Sequence, residues 1–326
     1  MIIKKHIYLS IILFFFLVLA IVFSLKVGSV SITFSEIIAI LQGAITENRS
    51  ILMNIRLPRV IFSVLSGINL ALSGLFLQIV LKNPMADPGI LGISSGAALG
   101  ATLVMLVLPV SVGLVPLVAF LGGILTFITI LFLAWEKNLT PINMVLSGVA
   151  VNAIIGGIQS LIMIAFSDKL QGVITWLHGD LSGKEWQEVG ILLSYSLPII
   201  ILSIFMIEKM NILNLPDKTI YSLGVNLRRN RMIIATISVF LAGVTISQVG
   251  LISFVGLIVP HISKLLVGGN MKKLFPCTIL IGGLVTTIAD LLARIIISPL
   301  EIPIGTIMSV LGGPFFLYLL SKQKRG

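Results

Sequence analysis

Across its 326 residues the chain is 57% hydrophobic and 10% charged, where a soluble domain carries about 25% charged residues. That deficit, with apolar runs near the roughly 20 residues a crossing needs, excludes an ordinary soluble fold and predicts an all-α polytopic membrane protein. A single cysteine, Cys277, excludes an internal disulfide framework and a multi-cysteine metal site, and the net charge of +10 reads as cytoplasmic-loop lysine and arginine rather than a nucleic-acid surface.

The N-terminal stretch places Lys4, Lys5 and His6 before an apolar run from Ile7 to Leu25. The run is long for a signal peptide and no small-x-small cleavage site follows, so it reads as a first membrane span. The predicted spans are 7–26, 60–82, 91–109, 113–134, 142–166, 189–207, 232–250, 251–268, 275–297 and 303–321. The 91–134 block is cut only at Pro109, Gly113 and Pro116, and the 232–268 block at Gly250 to Gly256 and at Pro260. Each block is long enough for two crossings at about 1.5 Å per residue.

Both ends are basic, with Lys4 and Lys5 at one and Lys322, Lys324 and Arg325 at the other. Both are therefore expected in the cytoplasm, with an even number of spans, about ten. That topology puts Lys4, Lys5, Lys82, Lys137, Lys209, Lys218, Arg228, Arg229, Arg231, Lys264, Lys272, Lys273, Lys322, Lys324 and Arg325 inside. It leaves Lys26, Arg49, Arg56, Arg59, Lys169, Lys184 and Arg294 outside. Of the 22 cations, 15 are then inside and 7 outside.

Gly92, Gly96 and Gly100 recur every fourth residue, with Ser95 and Ala97 beside them, and predict close helix packing. Between the second and third spans, Lys82 to Gly89 holds two prolines and a glycine and reads as a turn, with Asp87 placed to cap the next helix. In the fifth span Gly148, Asn152, Gly156 and Gln159 share one side. Polar groups at that depth either line a path or bond neighbouring helices. Asp168 to Trp186 reads as an external segment with a short amphipathic piece and interfacial Trp176 and Trp186. The stretch from Asn211 to Arg231 is too polar for hydrocarbon and has helical character on both sides of Gly224. It reads as a structured cytoplasmic loop that a soluble partner could grip. Asp290 and Arg294 sit one turn apart near the outer end of the ninth span and can pair. Residues 298–303 read as a tight external turn.

The sequence has no GxxxxGK[ST] loop and no HExxH. His178 and His261 fall on opposite sides of the predicted membrane, and no serine–histidine or paired-carboxylate set supports an intramembrane enzyme. No metal site and no cofactor are expected.

Several stretches together resemble one family. They are Arg56-Leu57-Pro58-Arg59; Gly67 with Ser73-Gly74; Asn83-Pro84-x-Ala86-x-Pro88-Gly89-x-Leu91-Gly92; Ser95-Gly96; and Leu223-Gly224 followed by Arg231. Gly250 to His261, Ala289-Asp290-x-x-Ala293-Arg294, Glu301 to Gly305 and Gly312 to Phe316 continue the series. These resemble the permease subunits, of FecCD type, of binding-protein-dependent ABC importers for iron–siderophore, heme and cobalamin, from about residue 28 to the C-terminus. The resemblance implies one permease domain over 1–326 with ten helices, multi-pass in the bacterial inner membrane. It implies a second permease subunit, identical or paralogous, two ATPase subunits below and an extracytoplasmic binding protein above, with ATP hydrolysed on the ATPase rather than here. It implies that Leu223, Gly224, Val225, Arg228 and Arg231 couple to the ATPase through paired short helices at Pro216–Arg231, and that Arg56, Arg59 and Arg294 meet acidic residues of the binding protein. Asn152 and Gln159 stand as candidate path-lining residues. The first ligand reading is an iron(III)–siderophore complex, with heme or cobalamin as alternatives. A secondary transporter is the rival class; it would need mid-membrane carboxylates and commonly an inverted repeat, neither of which is visible.

Overall fold

The computed structural model describes residues 2–28, 30–108, 111–135 and 139–323, without the side chains of 2–5, 319, 320, 322 and 323. Pro109, Lys137, Lys324 and Arg325 of the reading above lie outside the described residues, as do the side chains of Lys4, Lys5 and Lys322.

Apolar runs of this length have no way to satisfy their backbone in lipid except as helices, and the described residues contain helices and no strand. In order they are α1 (Ile2–Lys26), α2 (Phe34–Leu41), α3 (Leu57–Val80), α4 (Ile93–Thr102), α5 (Val115–Trp135), α6 (Pro141–Ala165) and α7 (Leu170–Leu177). Then follow α8 (Trp186–Phe205), α9 (Ile207–Leu213), α10 (Asp217–Ser222), α11 (Leu227–Val249), α12 (Val255–Val267), α13 (Met271–Ile295) and α14 (Ile304–Gln323). Among the described residues, seven helical segments are long and apolar enough to cross a membrane, and Ile93–Val107, Val255–Val267 and Ile304–Tyr318 are shorter apolar helices. The three short ones coincide with the predicted spans 91–109, 251–268 and 303–321. Helix α12 is short because Gly250, at φ +81°, ends α11, and the chain does not re-enter helix until Phe254 at φ +68°.

Local chemistry explains most boundaries. Thr33 caps α2, which the sequence reading missed, and Thr140 caps α6. Asp87 accepts from Gly89 N–H at 2.9 Å and opens a 3-10 turn, Pro88–Leu91, ahead of α4. Pro58 has no N–H to give to Asn54, and the chain before α3 runs as a wider π turn, Ile51–Arg56.

Helix α3 is central, packed against α11, α12 and α13. Small residues set those distances. A Cβ on Gly74 would lie 1.9 Å from the Gly256 carbonyl oxygen of α12, and one on Gly67 would lie 2.2 Å from that of Gly282 in α13. The predicted Gly92–Gly100 stripe packs α4 on α5, with Gly96 against the Gly122 carbonyl and Gly100 against that of Val118. Buried hydroxyls and amides add cross-links: Ser73 with Ser238, Asn69 with Thr245, and Thr286 with the Ser63 carbonyl.

The bundle has two chemically distinct ends. At one, the start of α3 meets the end of α13 through Arg59 and Asp290. At the other, His6 of α1 meets Lys273 of α13, and Met271 N–H donates to Asn211 of α9. The end of α3 reaches α10 there through Lys82 and Asp217.

Candidate functional site

At the arginine end, four charged groups form one cluster. Arg59 donates from Nε and Nη2 to Asp290 Oδ1 at 3.0 and 2.9 Å, and from Nη1 to both Glu301 oxygens at 3.0 and 2.8 Å. Arg294 Nε lies 3.2 Å from Asp290 Oδ2. Asp290, 1% exposed, thus sits between two guanidinium groups. The predicted Asp290–Arg294 pair is present, but Arg59 and Glu301, 242 residues apart in the chain, complete it.

The expectation that Arg56, Arg59 and Arg294 present free charge meets a different geometry. Arg56 is buried and donates to the carbonyls of Leu25 at 2.8 Å, Lys26 at 2.9 Å and Val30. It caps the end of α1, whose last carbonyls have no helical partner. Arg294 is buried against the Ser24 and Val27 carbonyls, both at 3.2 Å, and the Ser24 hydroxyl. Only Arg59, with 12% of its side chain exposed, reaches the rim. A guanidinium entering a low-dielectric bundle must spend its five donors internally, and the chain supplies helix-end carbonyls and one carboxylate for that.

At the opposite end α10 and the start of α11 form the predicted gripping surface. Gly224, at φ +69°, ends α10, and Val225 N–H reaches back to the Ile220 carbonyl at 3.3 Å. Asn226 then caps α11 by accepting from Arg229 N–H at 2.9 Å. That cap starts the long helix at once, so Arg228 and Arg231 belong to the first turns of α11. The separate second short helix expected before Arg231 is absent; the other short helix is α9, which precedes α10. Leu223 and Tyr221 are 58% and 65% exposed and project an apolar surface, while Val225 is half-buried.

The two arginines face inward. Arg231, 3% exposed, donates to Asp217 Oδ1 and Oδ2 at 3.0 and 2.9 Å. Lys82, from the end of α3, meets the same Oδ1 at 2.5 Å. Burial alone would raise the Asp217 carboxyl, but the hydrogen bonds and charges of Lys82 and Arg231 outweigh it and hold the group below its usual range. Asp217 is therefore a clasp joining α10, α3 and α11. Arg228 lies 3.6 Å over the Trp135 ring and donates to its carbonyl at 3.0 Å, tying α11 to the end of α5. The sequence reading named both arginines but neither partner. A cavity of about 350 Å³ lies beside the clasp, lined by Gln78, Lys82, Asn83, Asn214 and Lys264 among others.

Asn152 donates to the Gly89 carbonyl at 3.0 Å and accepts from Ser95 Oγ at 2.6 Å, and Gln159 donates to Thr102 Oγ1 at 3.3 Å. Of the two alternatives for this stripe, bonding between helices describes the amides as they stand, here α6 to α4 and its entry turn. The glycines beside them differ: Gly148 abuts the Ile90 carbonyl, whereas Gly156 and Gly157 face open space.

Comparison with known proteins gives a consistent picture. The model of the FecCD transport family matches residues 16–322. The chain is 36% identical over 323 residues to the Fe(3+)-citrate import system permease protein YfmE of Bacillus subtilis (strain 168), covering 99% of this chain and 97% of that one. It is 35% identical over 302 residues to IsdF of Staphylococcus aureus (strain MSSA476), described as a heme-iron transport system permease protein, covering 93% and 92%. Among solved structures, a metal-chelate type ABC transporter in an inward-facing conformation superposes with a TM-score of 0.88 at 28% identity, over 97% of this chain and 99% of that one.

Proposed function

This chain belongs to the FecCD transport family, and from that premise we propose that it is the permease subunit of an ATP-driven importer for an iron(III) chelate. In this reading the whole of 1–326 acts as one multi-pass permease in the bacterial inner membrane, with ten crossings and both termini cytoplasmic. It pairs with a second permease subunit, takes two ATPase subunits at the clasp end and receives a binding protein at the arginine end.

The observation that carries the reading is the construction of the clasp end. An exposed apolar knob, Tyr221 and Leu223, is mounted on a short helix whose first residue, Asp217, is ionically fastened to α3 and α11. A push on α10 therefore reaches the bundle. Because α3 approaches α12 and α13 to backbone distance at Gly74 and Gly67, leaving little room to yield between them, the push tilts helices as bodies. Leu223, Gly224 and Val225 form the contact and Arg228 and Arg231 anchor it. Docking at the other end falls on the rim, where Arg59 and Glu301 are accessible. The open face of α6 at Gly156 and Gly157, edged by Asn152 and Gln159, lines the path.

An iron(III)–siderophore complex is the first ligand reading. The resemblance to proteins described as Fe(3+)-citrate and heme-iron permeases supports iron in chelated form and makes ferric citrate and heme the alternatives.

The test is purification of the tagged chain from its own membrane in mild detergent, with partners identified and ATP hydrolysis assayed. A stoichiometric ATPase subunit is expected, with stimulated hydrolysis lost in Gly224→Pro, since proline cannot adopt φ +69°. A chain that purifies alone, with uptake that follows the proton gradient instead of ATP, would overturn the reading.

A further inference from the structure

A groove of about 460 Å³ runs along the outside of the bundle between α1 and the start of α13, closed at its back by Val267 of α12. Its wall is apolar. Ile7, Ile11 and Phe14 of α1, each more than half exposed, face Pro276 and Leu280 of α13. These residues descend about two turns from the clasp end toward the middle of the bundle.

The mouth of the groove is cationic. His6, Lys272 and Lys273 line it. Lys273 Nζ lies 2.8 Å from His6 Nε2, a contact that positions the ammonium and brings it no carboxylate. Lys272 contacts Glu208 at 2.7 Å, with both side chains about two-thirds exposed. Such a pair holds its lysine weakly, and Glu208 is the carboxylate the mouth must be weighed against.

We propose that this groove binds one anionic phospholipid, its phosphate on Lys272 and Lys273 and one acyl chain along Ile7, Ile11, Phe14 and Leu280. Two features select this occupant. An apolar slot continuous with a cationic mouth fits a molecule with both parts, whereas free phosphate would leave the slot empty. A zwitterionic headgroup brings its own cation against the lysines, whereas an anionic one does not. The groove lies between α1 and α13 and shares no residue with the Asp217 clasp, so its occupancy would fasten α1 to the bundle.

The experiment uses the full chain, purified in mild detergent. Native mass spectrometry counts bound phosphatidylglycerol or phosphatidylcholine of identical acyl chains, with and without inorganic phosphate. Phosphatidylglycerol is expected to bind preferentially. Lys272→Gln with Lys273→Gln should cut that preference by about fivefold per lysine. Ile11→Trp, which fills the slot and leaves the charges in place, should weaken phosphatidylglycerol binding as well. Equal binding of the two lipids, an unchanged preference in the double variant, or displacement of phosphatidylglycerol by inorganic phosphate at matched concentration would each overturn the proposal. Binding is read without transport, so the result stands apart from the importer assignment.

Discussion

Asp217→Asn isolates the clasp. The substitution keeps the shape and removes the charge that Lys82 and Arg231 share. Arg231 has 3% of its side chain exposed and makes two charge-assisted bonds to the carboxylate. Left without a counter-ion it loses about 2 kcal/mol, the scale of a charged hydrogen bond to a buried partner. Lys82 has 30% exposed, so Lys82→Met should cost under about 1 kcal/mol. A loss of about 2 kcal/mol raises the local opening equilibrium roughly thirtyfold. The assay is amide hydrogen exchange over Ile220 to Val225 in the purified chain, corrected for the intrinsic rate at each pH. Protection should fall about thirtyfold in Asp217→Asn and about fivefold or less in Lys82→Met. The depressed Asp217 carboxyl fixes the sign of the pH effect. Its contribution is complete above the ordinary carboxylate range and is lost as pH falls through the lower folded value. The unaltered chain should therefore lose protection only below that range, and Asp217→Asn should show no such step. Equal effects of the two variants, or less than threefold for Asp217→Asn, would refute the idea that Arg231 depends on this carboxylate.

Other substitutions test the remaining structure. Gly74→Leu puts a side chain where the Gly256 carbonyl already stands and should lower stability in a detergent thermal melt by about 1–3 kcal/mol or more, whereas Gly157→Ala, which meets nothing within 4 Å, should be neutral or stabilising. At the arginine end, Asp290→Asn leaves Arg59 and Arg294 without their buried carboxylate and should cost about 3–5 kcal/mol, while Glu301→Gln, with 42% of its side chain exposed, should cost less than about 1 kcal/mol; comparable losses would contradict the burial argument. Replacing Tyr221 and Leu223 together by serine should leave the melt within about 0.5 kcal/mol and abolish co-purification of the ATPase; retained co-purification would place the grip elsewhere.

Where a helix starts or stops was mostly legible. Asp87 was read as a cap and caps a 3-10 turn; the stretch around Gly224 was read as helical on both sides and is. The glycine stripe at Gly92, Gly96 and Gly100 was read as close packing, and α5 lies against it. The short helix α2 was passed over, because its eight residues give little more than two turns of pattern. The start of α11 was put five residues late, since Arg228, Arg229 and Arg231 looked too polar for a span. Their partners, Trp135 and Asp217, were invisible as partners.

The sequence by itself determined the all-helical class, the apolar segments, their caps and turns and the family, because these follow from backbone sterics, hydrophobicity and short motifs that act over a few residues. Only the tertiary structure decided what the charges do. Arg56, Arg59 and Arg294 look alike in the chain, yet one caps α1, one bridges Asp290 and Glu301, and one is buried against Ser24. Asp217 becomes a clasp only because glycine contacts set where α3 lies and so bring Lys82 within reach. A charge in a low-dielectric bundle must take whichever partner the packing puts beside it, and that choice spans 14 residues of chain for Arg231 with Asp217 and 270 for Arg294 with Ser24.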